Sequence, residues 1–224
     1  LVVANVGKKL RELTGQLSVI FPERDHLINQ ILYALLTREH VLVHGVFGTG
    51  KSDLITTLFG SFTGSNVFSI ALTKFMSEGH VVGMPDPKVM WQEGHIHHRP
   101  EGSILEAHFA ELDELFDANA PLLRVLLGIL NERHFKRGRQ FEIVKLHTAV
   151  GSTNGNPEEK IKESPELGAV IDRFLFQCKV DYLAKPESRR RMYEKYLRGE
   201  KPSVVIAYEG LAAISEVVIS ANQI

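Results

Sequence analysis

Cysteine is nearly missing from this chain: Cys178 is the only one in 224 residues. A disulfide framework and a cysteine-ligated zinc site are therefore excluded. No apolar run is long enough to span a bilayer. Internal repeats and low-complexity tracts are absent too. Excess charge is lacking, with a formal net charge of -1. That argues against a generally basic nucleic-acid surface, though it leaves room for a local patch. The start, LVVANVGKKLREL, has its lysines after the apolar residues, which is not signal-peptide order. A cytoplasmic protein is expected. The sequence starts without Met and stops at ISANQI without a stop-like feature, so a piece of a longer chain is expected.

What is present is an ordinary globular balance, 44% hydrophobic and 24% charged. Residues 24 to 38 put Leu27, Ile28, Ile31, Leu32, Leu35 and Leu36 on one helical face, with Pro22 and Asp25 suited to its start. HVLVHG then reads as a short buried strand, and helix resumes at Lys51 and runs to about Gly60. Further strands are expected at 66–72, at 108–114, across TAVGSTN and across FLFQCKVDY. Further helices are expected at 120–133, with Pro121 in the first turn, across ELGAVIDR, and after Pro186. HFKRGRQFEIVKLH reads as a hairpin turning at 136–139, and 73–102 reads as irregular. Strands alternating with helices predict an α/β fold with a parallel sheet. A main domain over 1–185 and the beginning of a small helical domain over 186–224 are expected.

The densest chemical signal is HGVFGTGKSD. Gly45, Val46, Phe47, Gly48, Thr49, Gly50, Lys51 and Ser52 fit the pattern G-x-x-x-x-G-K-[ST], and Asp53 follows. Glycines let the backbone turn its N–H groups toward phosphate oxygens. The helix beginning near Lys51 aims its positive end at the same anion. Nucleotide binding is expected over Gly45 to Asp53, with Lys51 on the outer phosphates and Ser52 on Mg²⁺.

Downstream, FAELDE ends a strand in two acids. Asp113 suits magnesium held through water, and Glu114 suits polarising the attacking water. Glu111 is a rival on the Asp113 side of an alternating strand. GSTNGNPEE closes the fourth strand, where α/β sheets place their ligands. Asn154, with Asn156 as its rival, suits water or a terminal phosphate, and both also suit a turn. Arg173 in IDRF suits a surface ion pair or an arginine finger reaching a neighbouring subunit.

Together VLVHGVFGTGKS, FAELDELFDANAPLLRVLLGILNERHFKRG, GSTNGNPEE and DRF resemble an AAA+ ATPase. More narrowly they resemble the MoxR group and its RavA-like members, in the helix-2-insert clade. The LNER helix end and the hairpin after it resemble the clade's pre-sensor hairpin, and 73–102 sits where its insert belongs. The resemblance implies a P-loop AAA+ fold, with a five-stranded parallel sheet between helices and the start of a helical lid. It implies a ring, usually a hexamer, with ATP between subunits. It implies Asn154 as the first sensor, Arg173 as a finger acting in trans, and Ile20 and Phe21 near adenine. Relatives carry a Val-Gly pair there, and Phe21 departs from it. No matching lid arginine motif follows, so no second sensor is assigned. The implied activity is ATP hydrolysis with Mg²⁺, driving chaperone-like remodelling of a client protein or metal centre. Relatives often work beside a protein with a von Willebrand A domain. Two alternatives are a nucleic-acid-directed motor of the same clade and a nucleotide-gated binding module with little hydrolysis. The near-zero net charge counts against the first.

Other features carry weaker signals. His95, His97 and His98 lack a nearby cysteine or well-spaced carboxylate, so a solvated loop is expected rather than a metal site. Arg133, Lys136, Arg137 and Arg139 make a basic hairpin, open to a pore-lining role or to solubility alone. Met84, Met90 and Trp91 are expected to pack the insert onto the core.

Overall fold

In the computed structural model, which describes residues 2–221, the chain begins with α1 (Val2–Ile20), α2 (Asp25–Thr37), β1 (Val41–Gly45) and α3 (Lys51–Phe59). The strands β2 (Phe62–Thr63) and β3 (Val67–Ala71) lead to an excursion with α4 (Gly79–Val82) and α5 (Pro87–Glu93). Then come β4 (Phe109–Asp113), α6 (Ala120–Glu132), the hairpin strands β5 (His134–Arg137) and β6 (Gln140–Ile143), and β7 (Thr148–Thr153). The last described elements are α7 (Pro157–Glu163), α8 (Pro165–Ile171), β8 (Phe176–Val180), α9 (Pro186–Arg198), β9 (Ile206–Ala207) and α10 (Tyr208–Ala221).

Five strands form one parallel sheet in the order β3, β4, β7, β1, β8. This is the parallel α/β sheet expected from the alternation of elements. Successive strand residues point to opposite faces, and the apolar side chains divide accordingly. Val41, Val43, Phe109, Val150 and Cys178 pack on one face with α1, α2 and α3. Leu42, Ala110, Leu112 and Ala149 pack on the other with α6 and α8. Both faces are covered, so most of the strands read as largely apolar runs.

Local chemistry explains the element ends. Asn119 caps α6 by accepting from the Leu122 N–H at 3.0 Å, with Pro121 in the first turn, as expected. Its buried stripe is Leu122, Leu123, Leu126, Ile129 and Leu130. The helix α1 was not among the expected elements. Val6, Leu10, Leu13, Leu17 and Ile20 recur at helical spacing and are all buried. That period marks the helix, and the charge order of the same residues hides it. The elements after α9 return to the first face. The strand β9 pairs with β2, and α10 packs on α1 and α2. Val204, Ile206 and Leu211 thus share an apolar cluster with α1, α2 and α3.

Two buried histidines tie these layers together. His40 Nδ1 accepts from the Ala149 N–H at 2.9 Å, and its Nε2 lies 3.1 Å from the Leu130 carbonyl. His147 Nε2 lies 2.7 Å from the Leu35 carbonyl. Burial pushes His40 down to about 3 and His147 down to about 4, so both are neutral near pH 7.

The insert departs from expectation. Its α5 buries none of its residues, and Trp91 is 89% exposed. Met84 and Met90 are exposed as well. The expected packing of these three side chains on the core is therefore not observed. Val81 and Val82 of α4 are the insert residues that reach the core, and polar pairing adds to them. The His98 N–H donates to Gln140 Oε1 at 2.7 Å, and Gln140 Nε2 donates to the His98 carbonyl at 2.9 Å. Arg137 of the hairpin pairs with Glu78 at 3.0 Å. At Gly83 a Cβ would sit 1.7 Å from the Arg99 carbonyl oxygen, so this crossing requires glycine. Among the described residues, no cluster of three or more histidine, cysteine or carboxylate groups is arranged to hold a metal.

Candidate functional site

The site is built where β1 ends. Gly45 has a φ of 142°, and a Cβ there would sit 2.1 Å from the Val180 carbonyl oxygen on β8. Only glycine lets the loop leave the sheet at this point. Gly48 and Gly50 take φ values of 70° and 75°, and the space beside Gly48 is open. The loop then enters α3 at Lys51. Lys51 is buried, with its ammonium 3.1 Å from the Gly45 and Val46 carbonyls and 3.3 Å from the Thr153 carbonyl. It also donates to Asn154 Oδ1 at 3.0 Å. Burial lowers its pKa, while the carboxylates of Glu114 and Asp113 pull the other way.

The ends of β4 and β7 supply the other half. Asp113 Oδ1 accepts from the Ser152 hydroxyl and from the Glu114 N–H. Glu114 stands at φ 51°, a left-handed conformation that a non-glycine residue adopts at a cost of about 1 kcal/mol or more. This turns its carboxylate toward Asn154, whose Nδ2 donates to Glu114 Oε1. Asn154 therefore joins Lys51 to Glu114 with one amide. Its rival Asn156 is occupied elsewhere, capping α7 through the Glu158 N–H at 3.1 Å. Glu111, the rival of Asp113, is buried and accepts from Thr56 at 3.2 Å and Ser69 at 3.0 Å. Burial raises its pKa.

Two cavities flank the loop. One of about 720 Å³ is lined by Gly45, Val46, Phe47, Asn154 and Lys179. The other, of about 510 Å³, lies between Gly48–Gly50 and α9 and is lined by Arg24, Tyr182, Leu183, Met192 and Tyr196 among others. Such volumes suit a small ligand. The donor set fits a phosphate with a hard cation. The ammonium is in place, and Ser52 Oγ makes no hydrogen bond among the described residues.

Comparison with known proteins decides the family. Residues 8–202 match the model of the MoxR domain found in MoxR–vWA–β-propeller ternary systems. The chain belongs to the MoxR domain family. Two uncharacterized proteins of Methanocaldococcus jannaschii are similar to this MoxR domain. One is 31% identical over 217 residues, covering 96% of this chain and 54% of the relative. The second is 33% identical over 203 residues, covering 89% and 52%. The chaperone MoxR1 of Mycobacterium tuberculosis is 26% identical over 195 residues, covering 87% and 50%. The chain thus spans about half the length of the curated relatives it matches. A solved structure of a candidate ATPase from Cytophaga hutchinsonii shares the fold with a TM-score of 0.71 at 17% identity, covering 96% of this chain and 64% of that one. The five-stranded parallel sheet with its glycine loop after β1 is the P-loop AAA+ arrangement.

The remaining expected residues of this MoxR domain fall in different places. Phe47 stands 71% exposed on the loop. Asp53 pairs with Lys195 of α9, whose ammonium also lies 4.1 Å from the Phe21 ring centre. Ile20 and Phe21 are core residues, Phe21 fully buried, and neither lines the cavity beside α9. Arg173 is far from the loop of its own chain. It precedes β8, whose other end meets Gly45, so the length of that strand, about 13 Å, and the turn before it separate them. There it donates to Asn131 Oδ1 at 3.0 Å and pairs with Asp172 at 3.2 Å. Arg24, Ser152 and Lys195 were not expected in the site. Ser152 was legible as a polar residue at a strand end beside Asn154. Nothing local marks Arg24 or Lys195, since each meets the loop through the fold alone. Among the described residues, no helix is long and apolar enough to cross a membrane.

Proposed function

We propose that this MoxR domain binds ATP with Mg²⁺ and hydrolyses it to ADP and phosphate. The observation that carries the reading is the single amide of Asn154 joining the Lys51 ammonium to the Glu114 carboxylate. Lys51 would shift from the loop carbonyls to the outer phosphates. Asn154 would orient Glu114, which takes the proton of the attacking water. Ser52 and Asp113 would hold Mg²⁺, which when bound draws charge from the phosphate oxygens. The base would lie between the loop and α9, against Tyr182, Met192 and Tyr196 rather than at Ile20 and Phe21.

We further propose a ring, hexameric as in the resembling proteins. The length of β8, about 13 Å, and the turn before it lie between Arg173 and its own loop, so a catalytic Arg173 serves a neighbour's nucleotide. Residues 186–224 would act as the lid over a nucleotide-binding domain at 1–185. The family's description supports a protein with a von Willebrand A domain as partner, alongside a β-propeller. The work done would be chaperone-like remodelling of a client in the cytoplasm, in the RavA-like manner that the motifs resemble. The test is Glu114→Gln in the full-length protein. ATP binding should persist while turnover falls by about a hundredfold or more. Turnover equal to the parent would remove Glu114 from the role of base.

A further inference from the structure

Arg24 sits at the corner between α1 and α2 and is only 7% exposed. Its Nη2 donates to the Thr49 carbonyl at 3.3 Å and to the Asp181 carbonyl at 2.9 Å. Its Nη1 donates to the Glu23 carbonyl at 3.1 Å. All three acceptors are neutral. Among the described residues no carboxylate stands within ion-pair distance of the guanidinium. The two nearest acids are turned elsewhere. Glu23 accepts from the Ala184 and Lys185 N–H groups at 2.7 and 3.0 Å, and Asp181 pairs with Lys179 at 3.2 Å. Arg24 Nε is buried with no acceptor at all. Burial lowers the Arg24 pKa, and Glu23 and Asp181 offset this only from a distance, without a direct ion pair. Arg24 nevertheless lines the cavity between Gly48–Gly50 and α9. Lys51, the other buried cation of the loop, is drawn to the opposite side, toward Asn154 and Glu114.

We propose that Arg24 is a phosphate-binding residue whose counter-charge is the α- and β-phosphates of the bound nucleotide, with Lys51 left to the outer phosphate. The inference rests on the ATP-binding reading above. It divides the polyphosphate between two cations on opposite sides of the glycine loop. The base lies on the α9 side, so the inner phosphates pass Arg24 first. Arg24 also holds the Thr49 carbonyl, so the same guanidinium braces the loop while it meets the ligand. A brace acts through shape alone, whereas a counter-charge acts in proportion to phosphate. The two roles therefore make different predictions.

The test uses Arg24→Met and Arg24→Lys in the full-length protein, with ATP, ADP and adenosine as probes. Titration calorimetry would measure the nucleotides, and ligand-observed NMR the weak nucleoside. Arg24→Met should weaken ADP and ATP alike by about tenfold or more, the range of a hydrogen bond to a charged group. Adenosine binding should be unchanged. In turnover, KM should rise while kcat falls less. Arg24→Lys keeps the charge and loses the fork, so it should weaken ADP by less than Arg24→Met does. Equal losses for adenosine and ADP would assign Arg24 to loop shape and overturn the proposal. So would ADP binding by folded Arg24→Met at parental strength. If Arg24→Met fails to fold, Arg24→Lys decides: a loss for ADP of about tenfold or more overturns the counter-charge role. A parent protein that binds neither ATP nor ADP would instead bring down the functional reading itself.

Discussion

Asn154→Asp exchanges one amide for a carboxylate and should stall turnover without expelling nucleotide. The parent amide faces Lys51 Nζ with its oxygen at 3.0 Å and Glu114 with its nitrogen. An aspartate keeps the first contact and turns the second into two carboxylates at hydrogen-bond distance. Two like charges about 4 Å apart repel by about 4 kcal/mol at an effective dielectric of about 20. The Lys51 ammonium offsets part of this. A net of about 1.5–3 kcal/mol corresponds to about one to two pH units. The pair then takes up a proton about one to two pH units earlier on acidification than Glu114 alone does, and the base is lost to it there. The acidic limb of the pH–rate profile should therefore move upward by about that amount, and activity should return at higher pH. Asn154→Ala removes the amide without adding charge. It should lower kcat by about tenfold to a hundredfold with no movement of the limb. ATP affinity should change by less than about threefold in both, because Lys51, Ser52 and the glycine loop that meet the phosphates are left in place. The assay is phosphate release against pH in the full-length protein, with nucleotide titration alongside. An Asn154→Asp profile superimposed on the parent would refute the contact on which this reasoning stands. A loss of ATP affinity as large as the loss of kcat would refute the division of roles.

Two more outcomes follow from the packing. His40 and His147 are held neutral, at about 3 and about 4, and return to about 6.5 when unfolded. Below about pH 6.5 the unfolded chain takes up protons that the folded one refuses. Their contribution is therefore intact above that pH and is lost as the pH falls toward 4, by about 1.4 kcal/mol per unit for each histidine. Urea unfolding at pH 7 and pH 5 should show this, with His147→Gln losing less than the parent, and equal pH dependence in both would contradict it. Gly45→Ala should cost about 3 kcal/mol or more, because its Cβ meets the Val180 carbonyl oxygen at 2.1 Å in a left-handed backbone. A loss below about 1 kcal/mol in chemical denaturation would mean that β1 and β8 separate more easily than their pairing implies.

Legibility in the sequence followed the range of the forces involved. The parallel sheet was readable because each strand is a short apolar run between helical periods, a pattern complete within a few residues. The glycine loop was readable for the same reason. Helix α1 is also locally encoded, through the helical spacing of Val6, Leu10, Leu13, Leu17 and Ile20. The insert misled in the opposite direction. Met84, Met90 and Trp91 look like core residues by composition, yet α5 stays on the outside. The insert is anchored by Val81 and Val82 in the core and by hydrogen bonds between His98 and Gln140, which no apolar pattern announces.

The sequence by itself determined the phosphate loop, the acidic end of β4, the parallel α/β class and the resemblance to MoxR proteins. These depend on residues adjacent along the chain, whose conformational preferences are local. Only the tertiary structure distinguishes the surroundings of Asn154 and Asn156, because these turn on which side chain faces Lys51 across 103 positions of sequence. It likewise set Glu111 under α3 against Thr56 and Ser69, covered Phe21 with Lys195, and brought Arg24 against the glycine loop without a direct ion pair. Charge balance at a buried site is a property of what the fold brings together, and no short stretch of sequence contains it.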